Sequence, residues 1–134
     1  MCGITGFFRT ADTDLQVAES IIMSMTDSLT HRGPDDSNTL LDSDSNMAFG
    51  HRRLSILDTS KGGLQPMLSK SENLVIVFNG EIYNHFDLRT QLEHEIKDIA
   101  WKSTSDTETL IESISILGIN KTLSIIRGMF AFAI

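Results

Sequence analysis

Over residues 2–8, Cys-Gly-Ile-Thr-Gly-Phe-Phe, the β-branched and aromatic residues dominate once the glycines are set aside. That pattern predicts a short buried strand with close backbone approach at its glycines. Across residues 15–29 the apolar positions Ala18, Ile21, Ile22, Met25 and Leu29 recur at three-and-four spacing. This is the stripe of an amphipathic helix facing a core, and Gly33-Pro34 lies shortly beyond its end. Residues 47–49 and 54–57 read as two strand pieces flanking the His51-Arg52-Arg53 triplet, and the five consecutive apolar residues 74–78 as a strand buried on both faces. Between them, residues 58–73 hold Lys61-Gly62-Gly63, Pro66 and several serines, a loop composition. Asn79-Gly80 then predicts a type I′ hairpin turn.

Residues 84–95 place Phe86, Leu88 and Leu92 among charged neighbours, a shorter and weaker helix. Ser105 and Glu108 have the spacing of a capping box, and Leu110, Ile111, Ile114 and Leu117 form the stripe of a stronger helix that Gly118 closes. A further helical turn or two over 122–126 leads into the apolar run 128–134, a strand that stops at the chain end and is expected to be cut off. No repeat, low-complexity segment or linker interrupts the chain, so no domain boundary is expected within it.

Composition narrows the classes. A chain of 134 residues with 40% hydrophobic content suits one domain with one core. Eleven Lys and Arg against 18 Asp and Glu give a charge of −7, which repels phosphate backbones and anionic lipid heads. Nucleic acid and membrane partners are therefore discounted. Arg9, Asp12 and Asp14 follow the first apolar residues at once, so no signal peptide is expected. No run reaches the ~18–20 apolar residues of a membrane span, and a soluble protein is expected. A lone cysteine excludes an internal disulfide and fits a reducing cytoplasm.

The same cysteine is the most informative position. A small second residue permits removal of Met1, which would leave a thiol and a free α-amine on Cys2. Free groups of these types titrate near ~8.5 and ~7.7–8.0, close enough for the amine to help form the thiolate and later protonate a leaving group. A small core cysteine or a palmitoylation site is the bland alternative. Besides its turn reading, Asn79-Gly80 can supply a side-chain amide and a backbone N–H to an oxyanion. Arg53 can pair bidentately with the carboxylate of a free amino acid, and Arg52 either does the same or is solvated. Asp106, at a helix start, suits the helix dipole or a substrate ammonium group. The four histidines show no metal spacing, so no metal is expected.

Taken together, the motifs resemble the class II glutamine amidotransferases, members of the N-terminal-nucleophile hydrolases, and within them the asparagine synthetase branch. The likeness rests on Met1-Cys2-Gly3-Ile4, His31-Arg32-Gly33-Pro34-Asp35, Arg53-Leu54-Ser55-Ile56, Gln65-Pro66, Asn79-Gly80-Glu81-Ile82-Tyr83-Asn84, Ser105-Asp106-Thr107-Glu108 and Gly128-Met129-Phe130-Ala131-Phe132, in the family's order. The phosphosugar and purine-pathway amidotransferases differ at Arg-Gly-Pro-Asp and at Asn-Gly-Glu-Ile-Tyr-Asn. The resemblance implies that Cys2 attacks the glutamine side-chain amide, that Asn79 and Gly80 stabilise the oxyanion, and that Arg53 grips the α-carboxylate. It also implies that backbone groups of Ile56 and Leu57 and the side chains of Glu81 and Asp106 complete the pocket, with Arg32 and Asn84 supporting its shape.

The implied fold is α+β, a four-layer αββα sandwich. The family continues with further strands and an ATP-using synthetase domain that captures the ammonia, so residues 1–134 are expected to be a truncated glutaminase domain, incomplete at the C-terminus. No cofactor is expected here, ATP and Mg belonging to the synthetase domain. L-glutamine and a synthetase domain or subunit are the expected partners, and unpaired strand edges favour a homodimer. The alternatives are an inert remnant or interaction module of the same fold, and an amidotransferase with another acceptor.

Overall fold

The computed structural model describes residues 1–10, 13–55, 61–96 and 99–134. Among the described residues, six strands and four α-helices form an α+β fold: β1 (Gly3–Phe8), α1 (Leu15–Ser28), β2 (Asp36–Asp42), β3 (Met47–Arg53), β4 (Met67–Leu68), β5 (Val75–Ile82), α2 (His85–Glu95), α3 (Asp106–Leu117), α4 (Ile119–Ile125) and β6 (Gly128–Ala133). A 3₁₀ turn over Lys61–Gly63 precedes β4. The strands make two antiparallel sheets, ordered β1-β3-β2 and β4-β5-β6. Helix α1 packs on all three strands of the first sheet, α3 packs on β4 and β5, and β1 and β3 meet β5.

Alternation along β3 decides what each sheet face carries. Gly50 faces α1, where the Thr26 hydroxyl occupies the space a Cβ would need, so only glycine fits. Phe49, His51 and Arg53 point the other way, towards the second sheet. In β5, Ile76, Phe78 and Ile82 join Met67, Leu88, Leu110, Ile111 and Ile114 in the core beneath the helices. Val77, Asn79 and Glu81 therefore face the first sheet. Across this gap His51, 1% exposed, donates from Nε2 to the Phe78 carbonyl at 3.2 Å. Burial, outweighing that hydrogen bond, pushes the imidazole down to about 4.

Neutral His51 has a pH consequence. The unfolded chain takes up this proton near pH 6.5 and the folded chain only near 4, so the contribution is full above 6.5 and is lost as pH falls through that window. Its size is about 3 kcal/mol. His51→Gln keeps a donor without a titration, so between pH 7.5 and 4 it should lose about 3 kcal/mol less stability than the parent chain in urea melts. Identical pH dependence in the two chains would remove this role from His51.

Several expectations need correction. The run 128–134 and the helices at 15–29, 84–95 and 105–117 form as expected, but Asn79-Gly80 is no turn. It lies within β5, opposite Ala131 and Phe130. The strand piece expected at 47–49 runs on through His51-Arg52-Arg53 as β3, whereas Leu54 and Ser55 of the piece expected at 54–57 are not in a strand and residues 56 and 57 lie outside the described residues. The opening strand is not buried throughout, since Phe8 is 79% exposed. On α1, Ile21 is 42% exposed and Thr26 takes the core position, its hydroxyl donating to the Ile22 carbonyl at 2.7 Å. Ser105 caps α3 through the Thr107 N–H, but Glu108 does not reciprocate: it accepts from the Lys102 and Ser103 amides instead. Strand β2 was not anticipated. Its sequence, Asp-Ser-Asn-Thr-Leu-Leu-Asp, is that of a half-wet sheet edge.

Candidate active site

A cleft of about 260 Å³ opens between the ends of the two sheets, lined among others by Cys2, Arg53, Leu54, Gln65, Asn79, Gly80, Glu81, Asp106 and Thr107. Cys2 comes to it from the start of β1. The β1–β3 register sets Gly3 opposite Arg52, so Cys2 emerges beside the end of β3. There its sulfur accepts from the Leu54 N–H at 3.4 Å and lies 3.7 Å from the Leu54 carbonyl, and the Arg32 Nε donates to the Cys2 carbonyl at 3.1 Å. Met1 still precedes Cys2 and lines the cleft.

Arg53 is the last residue of β3 and is buried, its guanidinium paired with Asp36 at 3.2 Å. Asp36 stands opposite it in β2, so the sheet register itself aims the cation. Asp106 approaches from the start of α3. Arg89 fixes that helix end by donating to the Ser103 and Ser105 carbonyls at 2.9 Å each. The Asp106 carboxylate accepts the Ile82 N–H at 2.9 Å, and burial raises its pKa against that hydrogen bond.

One edge of β5 supplies the opposite wall. In an antiparallel ladder the N–H groups of alternate residues point to the same neighbour. Ile76 faces β4, Phe78 N–H is taken by the Gln65 Oε1 at 2.6 Å, and Ile82 N–H is taken by Asp106. Gly80 lies between these two on the same edge, and its N–H therefore faces the cleft. At Gly80 φ is +155°, and a Cβ there would land on the Met129 carbonyl of β6. A side chain is excluded where the backbone turns its donor to the cavity.

The cleft thus brings together Cys2, Arg53, Asn79, Gly80, Glu81 and Asp106. Arg32 touches the site through the Cys2 carbonyl. Asn84 stands outside it, donating to the Ile125 carbonyl at 3.0 Å and accepting the Arg127 N–H at 2.8 Å, which ties α2 to the lead into β6. Ile56 and Leu57 lie outside the described residues. Arg52, the alternative to Arg53, points to the other face, to the Gly33 carbonyl at 3.1 Å and Asp27 at 3.7 Å.

The family model of the glutamine amidotransferase domain matches residues 1–134. The chain belongs to this glutamine amidotransferase family. Along its whole length it is 40% identical to asparagine synthetase (glutamine-hydrolyzing) 1 of Bacillus subtilis strain 168, of which it covers 20%. It is 39% identical to asparagine synthetase (glutamine-hydrolyzing) 3 of the same strain, and 31% to asparagine synthetase (glutamine-hydrolyzing) 1 of Arabidopsis thaliana, again along the whole chain and over 21% of each relative. The chain spans about a fifth of the length of these relatives. Among the described residues no helix is long and apolar enough to cross a membrane. Sequence reasoning gave no role to Gln65 and Thr107, two of the polar residues that line this cleft. Gln65-Pro66 stood out as a motif, but nothing local to it shows which segments its side chain joins.

Proposed function

We propose that this chain is the glutaminase part of an asparagine-synthetase-like amidotransferase, releasing ammonia from L-glutamine for ATP-dependent amidation of aspartate or a similar carboxylate by a synthetase domain or subunit. The observation that supports the reading is the convergence of Cys2, Asn79, Gly80, a buried arginine and a buried aspartate in one cleft. The order of contacts, helix on sheet, sheet on sheet, sheet on helix, supports an αββα sandwich of the N-terminal-nucleophile type. A lone cysteine that must stay reduced suits the cytoplasm.

With Met1 removed, the Cys2 α-amine takes the thiol proton and the thiolate attacks the δ-carbon of glutamine. Charge collects on the amide oxygen, where the Gly80 N–H and the Asn79 amide receive it. Collapse of the tetrahedral adduct breaks the C–N bond, and the protonated amine returns its proton to the leaving ammonia. Water then cleaves the γ-glutamyl thioester to glutamate and regenerates the thiol. Arg53 binds the α-carboxylate, while Asp106, with Glu81 nearby, binds the α-ammonium.

Burial raises the pKa of Asp106, so the carboxylate form needed for ammonium binding fills in only as pH climbs past the ordinary aspartate range. Asp106→Asn retains an acceptor for the Ile82 N–H but loses the charge. It should raise KM by on the order of tenfold to a hundredfold with a smaller change in kcat, and abolish the fall of KM with rising pH. An unchanged KM would remove Asp106 from substrate binding. The reading as a whole is tested by incubating the Met1-free chain with L-glutamine and measuring both products. Glutamate and ammonia in equal amounts are expected; neither product would end the proposal.

A further inference from the structure

We infer that Gln65 is a positioning residue of this glutaminase site, bridging the oxyanion strand to the helix that carries Asp106; the inference rests on the function proposed above. Strand β4 sets Met67 opposite Ile76, and the same register would bring Gln65 opposite Phe78. The backbone ladder does not continue that far, because β4 begins only at Met67. The Gln65 side chain, on a residue 6% exposed, replaces it. Its Oε1 accepts the Phe78 N–H at 2.6 Å, and its Nε2 donates to the Thr107 hydroxyl at 3.2 Å.

The bridge needs an acceptor at one end and a donor at the other, which a carboxamide supplies at this length. It lies immediately before Asn79-Gly80 on one side and immediately after Asp106 on the other. Phe78 is held a second time, by His51 on its carbonyl. With both polar groups of Phe78 fixed and Ile82 N–H bound to Asp106, the two residues flanking Gly80 on the cleft edge are immobilised. Gly80 is then left as the aimed donor. Gln65 touches no reacting atom; it acts by keeping that donor in place before charge develops, which is where an oxyanion site draws its effect.

The test uses the full chain and three variants. Gln65→Met keeps length and volume without the amide pair, Thr107→Val removes one end of the bridge, and Thr107→Ser restores it. Glutamine turnover is measured per active site, counted by labelling of Cys2 with a diazo-ketone analogue of glutamine, and glutamate binding is measured by calorimetry. Gln65→Met should lower kcat by on the order of tenfold to a hundredfold while KM and the glutamate Kd shift less than ~threefold, because a donor is displaced rather than deleted. Thr107→Val should move kcat in the same direction by less, and Thr107→Ser should match the parent; these two decide the matter if Gln65→Met does not fold. Parental kcat per labelled site in Gln65→Met, or in Thr107→Val where that variant decides, overturns the inference, as does a rise confined to KM. A parent chain that is neither labelled nor active would overturn the glutaminase reading itself, whereas an active parent with insensitive variants overturns only the role of Gln65.

Discussion

Cys2→Ala is expected to lower glutamine turnover by at least ~10⁴-fold, the scale on which enzymes lose activity when a covalent nucleophile is deleted. The fold should not follow. The Cys2 sulfur is half-buried and, among the described residues, hydrogen-bonds to the Leu54 backbone through two long, weak contacts, so its removal should cost less than ~1 kcal/mol. Glutamate binding should survive as well, because Arg53 and Asp106 are held by Asp36, Ile82 and the Arg89 clamp rather than by the thiol. Calorimetry with glutamate and a urea melt, run beside the turnover assay, separate loss of chemistry from loss of structure. A Cys2→Ala chain that still hydrolyses glutamine would place the nucleophile elsewhere.

Gly80→Ala should damage stability and catalysis together. The added methyl meets backbone, the Met129 carbonyl and the Phe130 Cα, rather than the far end of a flexible side chain, so β6 must move away from β5. Overpacking of this kind and an unfavourable φ of +155° together amount to about 2–5 kcal/mol. Any shift of β5 also withdraws the Gly80 N–H from the cleft, and loss of one oxyanion donor lowers kcat by ~10²–10³-fold. Asn79→Ala, whose position faces the gap between sheets without that steric conflict, should lose activity without comparable destabilisation. Parental stability and turnover in Gly80→Ala would contradict both the strand geometry and the donor assignment.

What could be read from the chain was local. The stripe at Leu110, Ile111 and Ile114 and the cap at Ser105 predict α3, because helix signals are contained in neighbouring residues. Asn79-Gly80 misled for the same reason. Its turn signal is local, whereas the partner that holds it in a strand, β6, lies some fifty residues further along the chain. Strand β2 has few apolar residues to announce it, since pairing with β3 supplies its order. Thr26 reached the core because its hydroxyl is satisfied within α1 and fits against Gly50, a match between two elements that no periodicity encodes.

The site divides along the same line. Cys2, Asn79, Gly80, Arg53 and Asp106 were legible as residue types suited to amide chemistry, and the cleft brings them together. The parts that hold them were not. The Asp36 pairing behind Arg53 and the Gln65 bridge are hydrogen bonds between segments distant in sequence, and the Glu108 contacts under the α3 start reach back to the irregular segment before that helix. Such partners are chosen by geometry, and their residue types alone point to no single role.

The most direct measurement is the intact mass of the purified chain before and after treatment with the diazo-ketone analogue of glutamine. The expected result is a chain lacking Met1 that gains one adduct, mapped to Cys2, and that is protected by glutamate. A chain that retains Met1, takes no label, or takes it away from Cys2 would contradict an assembled glutaminase site.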